Sequence, residues 1–496
     1  MASSRSVPNR TPVVVGVGQF IQRPEDAAEA LEPVAMMTEA VERAADDAGT
    51  RRLAARADAI WVVRGAWPYR DPGRIIASRV GASPRHTALS ADGGNTPQSL
   101  VNRASLAIQN GELDVVVLAG AEGIYSRRRA RRAGQRIPYT DDSATAPADE
   151  LDPSFDMGSD LERERGVEAP INVYPIFENA IRASRGEAIE DHRSRIAHLW
   201  EGFNRVAVGN PYAWLRRPLT AEQIRTPSAD NRMVGFPYTK SMNSNWDLDQ
   251  AAAVILCAAE VASGLGIQRD RWVFPYCGTD AHDTYLVSNR PNLHSSPAIH
   301  VSGRHLFEMV GMGVDDMAHV DLYSCFPSAV QIAATELGLG QDRQLTVTGG
   351  LSFAGGPLNN YVMHSIATMC SVLRAHPGDR GLVTANGGFV TKHALGIYST
   401  EPPAGPFQHR NVQDEVDRAP TREVVADHVG AATIESYTVM HGADGPEVAL
   451  VAALAPDGRR TWARSDEADL VAALLDGTEP IGRQARTGPN GAIELV

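Results

Sequence analysis

Two glycine pairs constrain the fold of this chain more than any other feature. Asp92-Gly93-Gly94-Asn95-Thr96-Pro97 and Ala354-Gly355-Gly356-Pro357-Leu358-Asn359-Asn360 each open a helical stretch that passes through a polar turn into a buried strand ending near another glycine. The first unit continues as SLVNRASLAIQNGELDVVVLAGAE and the second as YVMHSIATMCSVLRAHPGDRGLVTANGGF. Loop, helix, turn and strand repeated at such a distance read as two related halves of one α/β architecture. Sites formed between halves of this kind lie where their loops converge.

The 496 residues exceed one ordinary core, so two or three domains are expected. A net charge of −13 argues against a nucleic-acid or anionic-membrane partner, because both need a positive field. Basic residues do cluster in Arg127-Arg128-Arg129-Ala130-Arg131-Arg132, either as a solvated face or as a patch for a phosphorylated ligand such as a CoA nucleotide. Cys257, Cys277, Cys325 and Cys370 lie far apart without a CxxC pair, so neither a metal site nor a disulfide framework is expected. The amino terminus lacks an apolar core of signal-peptide length, and no later stretch approaches a membrane span. A cytoplasmic protein is the resulting expectation.

Four regions follow from the pattern of strands and breakers. Residues 1–124 and 246–270 read as the first α/β half, with a strand at Pro12 to Gly18, a helix stopping at Gly49 and the strand DAIWVVRG. Between 125 and 245 strand runs vanish, and Arg, Pro and aromatic residues mark a helical and loop insertion. Residues 271–405 form the second half. From 406 to 496 short alternating strands, with hairpin signals at Pro456-Asp457-Gly458 and Gly488-Pro489-Asn490-Gly491, predict a small β-rich domain of barrel or OB-like form. The Pro-rich break before it predicts a separate folding unit, whose removal after about Gln408 leaves a soluble core.

In order, these segments resemble the thiolase superfamily. GGNTPQSLVNRASLAIQNGELDVVVLAGAE is similar to the thiolase nucleophile loop, its helix and the strand ending in Ala-Gly-Gly-x-Glu. DQAAAVILCAAEVASGLG resembles the Asp-Gly-Ala-Ala-Ala strand, and YSCF stands at the Asn-Glu-Ala-Phe box. GGLSFAGGPLNN and ANGG stand where thiolases carry their histidine loop and their Cys-x-Gly-Gly loop. With its extra carboxyl-terminal region, the pattern looks most like the branch called thiolase-like protein type 1. The resemblance implies a five-layer αβαβα fold, a loop domain over the site, and CoA or acyl-CoA as ligand with no other cofactor. It also implies a monomer, a homodimer, or a partner protein bound through the extra domain.

The family's chemistry does not carry over intact. The acyl-bearing cysteine falls on Gly94, its activating histidine on Gly356, the box asparagine on Tyr323, and the second cysteine on Ala385 or Asn386. Backbone N–H groups around Gly93, Gly94, Asn95, Gly356, Asn386, Gly387 and Gly388 still offer donors for an anionic oxygen, and tight turns explain the same glycines. Tyr323 and His393 are the candidate proton carriers, each equally readable as a packed core residue. Strand alternation directs Lys392 opposite to His393, toward solvent or a paired contact. His364 reads as a helix-face residue and Cys325 as structural. Asn359 lies near the motif loops, while Asn243, Asn245 and Asp249 are either site-facing or capping groups. Three functions are compatible with this set: an acyl-CoA-binding protein without ordinary acetyl-CoA acetyltransferase turnover, a non-covalent carbon-carbon lyase of retro-aldol type, and a scaffold that binds a partner.

Overall fold

The computed structural model describes residues 7–496. Six strands form one sheet, ordered Pro12–Ile21, Asp249–Ala258, Val115–Gly123, Ala59–Val62, His86–Leu89 and Asp149–Glu150. Five form a second, ordered His319–Asp321, Arg380–Gly387, Lys392–Ser399, Phe274–His282 and Gln408–Asn411. Val115–Gly123 and Asp249–Ala258 are buried along their whole length, which is why they read as unbroken apolar runs instead of alternating ones.

The two helices behind the glycine pairs, Thr96–Gln109 and Tyr361–Ala375, pack against strands of both sheets and against each other. They form the middle layer, and most of their residues are buried on every side, as a helix between two sheets requires. Pro33–Asp47 and Pro72–Val80 cover the first sheet, while Pro297–Val310 covers the second with Pro327–Leu337 beside it. Five layers result, helix, sheet, helix, sheet, helix. Among the described residues no helix is long and apolar enough to cross a membrane.

The insertion is mainly helical, with Pro170–Ser184 and Ile189–Gly209 its longest pieces. They are separated by a turn at which Gly186 takes φ +64°. Strand character is not wholly lost: Met233–Gly235 and Tyr238–Thr239 make a short antiparallel pair.

That pair changes the reading of the carboxyl-terminal region. Its sheet runs Arg460–Ser465, Pro446–Leu454, Gly430–His441, Gln484–Thr487, Ile493–Leu495, and Met233–Gly235 joins it through Gly235 opposite Met440. The strand path is open, not a closed barrel, and two of its seven strands come from the insertion. Gln408–Asn411 pairs with Phe274–His282, so the second α/β half continues past residue 405.

The region has a buried apolar cluster of its own, with Ile434, Tyr437, Val451 and Ala463 in it, and it also packs closely on the α/β core. Leu450, Ala452 and Trp462 belong to the same buried apolar cluster as the two central helices. Trp462 Nε1 donates to Ser288 Oγ at 2.8 Å. The fully buried Arg460 donates to the carbonyl oxygens of Ser288 and Arg290 at 2.7 and 2.8 Å and to both oxygens of Glu435 at 2.6 Å. Ser436 Oγ donates to Ile176 O at 2.6 Å, and Asn179 Nδ2 to Tyr437 O at 2.9 Å. Arg182, 1% exposed, is paired with Glu479. The hairpin signals show the strands of the region but not these tertiary partners, which leave no local signature.

Candidate functional site

The loops that carry the resemblance do converge. Gly93 N donates to Asn359 Oδ1 at 3.0 Å, and Asn359 Nδ2 donates in turn to Arg64 O and Asp92 Oδ1 at 3.0 and 3.1 Å. Asn360 Nδ2 reaches Gly120 O at 2.8 Å. Asparagines of the second glycine loop thus hold the first loop and the strand beyond it. The strand end at Gly387 abuts the same loop: a β-carbon there would stand 2.5 Å from Asn95 Oδ1, 3.0 Å from Gly93 Cα and 3.2 Å from Gly94 N.

The two glycine pairs share a logic. The first glycine of each has a backbone closed to most side chains, φ +145° at Gly93 and +117° at Gly355. Crowding dictates the second. A β-carbon on Gly94 would lie 2.3 Å from Tyr323 Oη and 2.5 Å from Asn386 O; one on Gly356 would lie 2.4 Å from Ser244 Oγ. Tyr323 and Ser244 therefore occupy the space that side chains at positions 94 and 356 would need. Gly356 N is spent on Asn245 O at 2.8 Å. At Gly388, φ +71°, Met157 Sδ stands 2.4 Å from the β-carbon position.

Tyr323 is buried, edge-on to Tyr361 with ring centroids 5.6 Å apart. Burial holds its phenol well above the ordinary value of 10, so it can donate a hydrogen bond but not ionise near neutrality. Beside it, Tyr174 from the insertion donates to Gly388 O at 2.9 Å and accepts from Asn386 Nδ2 at 3.2 Å. Asn386 Oδ1 and Asn95 Oδ1 are buried without a partner. Cys325 is buried with its thiol pushed up to about 12, which leaves negligible thiolate at neutral pH.

His393 stands in a different cluster. It is 2% exposed, and its Nε2 lies 3.1 Å from Val390 O, 3.4 Å from Asp283 Oδ2 and 3.5 Å from Ser296 Oγ. Among the described residues it shares no hydrogen-bond partner with Tyr323. Lys392 instead reaches the first glycine loop, donating to Asp92 O. His364 Nδ1 meets Gln19 Oε1 at 2.8 Å, and burial pushes its imidazole down to about 3, so it stays neutral. Asn243 donates to Thr239 O at 2.7 Å within its own turn, and Asp249 Oδ1 accepts from Ser126 N at 3.1 Å, tying its strand to the helix Ile124–Arg132. Of the arginine run, Arg127, Arg128 and Arg129 enter tertiary contacts with Ala66, Asp247 and Pro24, while Arg131 and Arg132 are exposed.

Concavities among the described residues include two on the outer faces of the molecule. One, of about 190 Å³, is bordered by His282, Asp283, Arg290, Pro297, Val416 and Thr421; a broader one lies beside Glu25, Arg129 and Arg132. Neither is lined by Gly94, Tyr323, Gly356 or Asn386.

A crystal structure of a monomeric SCP2-thiolase like protein type 1 from Mycobacterium smegmatis is 32% identical, covers 99% of this chain and 100% of its own, and superposes with a TM-score of 0.86. The chain belongs to the thiolase-like protein type 1 family. The family model for the thiolase-like protein type 1 additional C-terminal domain matches residues 411–492. Two more distant structures share the fold alone. An Ltp2-ChsH2(DUF35) aldolase is 18% identical over 80% of this chain and 99% of its own, with TM-score 0.60. An acetyl-CoA acetyltransferase from Syntrophomonas wolfei is 15% identical over 80% and 100%, with TM-score 0.56. No curated protein matches the chain.

Within this thiolase-like protein type 1 chain, Tyr174, Ser244 and Met157 crowd the motif loops without having been singled out as site groups by sequence, and Lys392, expected in solvent or in a paired contact, takes the paired contact at Asp92. Tyr174 and Met157 come from the insertion, far in sequence and without a motif. The alternation at 392–393 is legible; which of the two faces the glycine loop depends on how the sheet lies against the central helix.

Proposed function

We propose that the protein binds acyl-CoA thioesters without forming a cysteine-linked acyl intermediate, and so does not turn over as an ordinary acetyl-CoA acetyltransferase. The observation that carries this reading is the Tyr323 phenol and Asn386 carbonyl filling the β-carbon position of Gly94. Covalent thiolase chemistry needs a thiolate at a helix amino terminus and a base beside it. Here position 94 has no side chain and Cys325 is held protonated.

Support for nucleotide-thioester binding comes from the rim of the second glycine loop. Asn245 N donates to Leu351 O and Leu215 N to Phe353 O, so the segments holding Trp246 and Leu215 flank residues 351–356. Trp246 is 60% exposed and Leu215 42%, with Arg216 and Arg217 exposed next in sequence and Arg128 paired to Asp247. An open indole suits stacking on a purine, and guanidinium groups suit phosphates. Like its Mycobacterium smegmatis relative, the protein is proposed to act as a monomer. Calorimetric titration with CoA and acetyl-CoA tests the reading: saturable binding is expected, weakened about 5- to 150-fold in Trp246→Ala, the loss of one base-aromatic stack of about 1–3 kcal/mol. Absence of heat with every thioester would refute it in favour of a partner-binding role.

A further inference from the structure

Of 47 lysines and arginines only two are lysines, Lys240 and Lys392. A chain that uses arginine almost everywhere it needs a cation has kept an amine at the first glycine loop. The distinction is chemical: an amine can lose its proton and act as a nucleophile, and a guanidinium cannot.

Lys392 heads the strand Lys392–Ser399 and is partly buried, with Nζ donating to the carbonyl oxygen of Asp92. The point where a β-carbon on Gly93 would stand lies 2.8 Å from Lys392 Nζ and 2.4 Å from Asn95 Oδ1. Amine and amide oxygen thus close together over Gly93, in the place that a side chain at that position would need. Asn95 Oδ1 is buried with no donor of its own, an acceptor left waiting beside the amine. Burial lowers the affinity of Lys392 for its proton, opposed by the carboxylates of Asp92 and Asp152. Lys240, by contrast, lies exposed on the insertion.

We propose that Lys392 is an acyl-accepting amine toward small acyl thioesters, a modification site beside the loop where the family's acyl-bearing cysteine would stand. The neutral Nζ attacks the thioester carbonyl carbon, a C–N bond forms, and the C–S bond breaks. The departing thiolate takes the surplus amine proton and leaves as free thiol. The amide nitrogen keeps a single N–H, which stays within reach of Asp92 O, the acceptor of the free amine. The product is an amide on the protein, formed once per chain, so the step is a modification and not a turnover. The choice of thioester rests on the acyl-CoA reading above.

Two lysines make the test clean. The folded protein is incubated separately with acetyl-CoA and with the acetyl thioester of N-acetylcysteamine, which has no nucleotide, and acetylation at Lys392 and Lys240 is followed by peptide mass spectrometry. Lys392 is expected to react several-fold faster than Lys240 with at least one thioester, the ratio falling to near one in the urea-unfolded chain. Lys392→Arg, checked for an unchanged near-ultraviolet spectrum, should lose the adduct at that position. Labelling of Lys240 as fast as Lys392 in the folded protein would overturn the proposal. The two readings fail separately: calorimetric binding of acetyl-CoA with no preferential Lys392 acetylation by either thioester removes this inference alone. Rapid Lys392 acetylation by the small thioester without any heat from CoA keeps it and removes the nucleotide reading.

Discussion

A chain ended near Pro406 is expected to be recovered as aggregate or without cooperative structure. Cutting there strips the edge strand Gln408–Asn411 from Phe274–His282 and removes Leu450, Ala452 and Trp462 from the main core. It also takes from Arg182 its partner Glu479 and strips the helix Pro170–Ser184 of the strand Gly430–His441 that covers it. An unpaired buried charge costs about 3–5 kcal/mol and each orphaned buried polar group about 1–3 kcal/mol, against a net stability of about 5–15 kcal/mol for a typical protein. Arg460→Met in the full chain isolates part of this effect. It leaves Glu435 with Arg422 alone, at 4.0 Å, and the carbonyls of Ser288 and Arg290 without that donor, and should lower stability by about 3 kcal/mol in urea unfolding. A soluble truncated chain with native-like circular dichroism would show that the core stands without the added region.

Gly94→Cys is expected to lose stability and to gain no thiolysis. Its β-carbon would meet Tyr323 Oη at 2.3 Å and Asn386 O at 2.5 Å, and the second of these is backbone. Overpacking of this kind typically costs about 1–3 kcal/mol. The missing imidazole is a second barrier: groups that act as a unit are not restored one at a time, and position 356 is itself closed to a β-carbon by Ser244 Oγ at 2.4 Å. Urea midpoints and CoA-dependent loss of acetoacetyl-CoA absorbance check the two halves of this statement. A stable variant with substantial cleavage would contradict both.

How much of this was legible depends on the range of the interactions. The glycine echo predicted the two central helices because loop, helix and strand are contiguous, and burial from both sides left continuous apolar runs at 115–123 and 249–258. The open carboxyl-terminal sheet was not legible as open, since its strands at 233–239 lie about 200 residues from their partner. At the site, counting along motifs located Gly94, Gly356, Tyr323 and Asn386 on converging loops. It could not show that Tyr323 and Ser244 fill the space left by the lost side chains, because that is a matter of ångströms between segments. His393 and Lys392 show the same limit: period-two alternation separates them correctly, but the packing of the strand on Asp92 and Asp283 decides which one meets the glycine loop.

The central claim, that no cysteine of this chain carries an acyl group, is tested most directly on the unmodified protein. After incubation with excess acetyl-CoA, mass spectrometry with and without hydroxylamine separates thioesters, which hydroxylamine cleaves, from amides, which survive. The four cysteines are buried, with their thiols pushed up to about 12, so no hydroxylamine-labile acetyl group is expected on any of them. A labile acetyl group mapped to Cys325 would contradict the account.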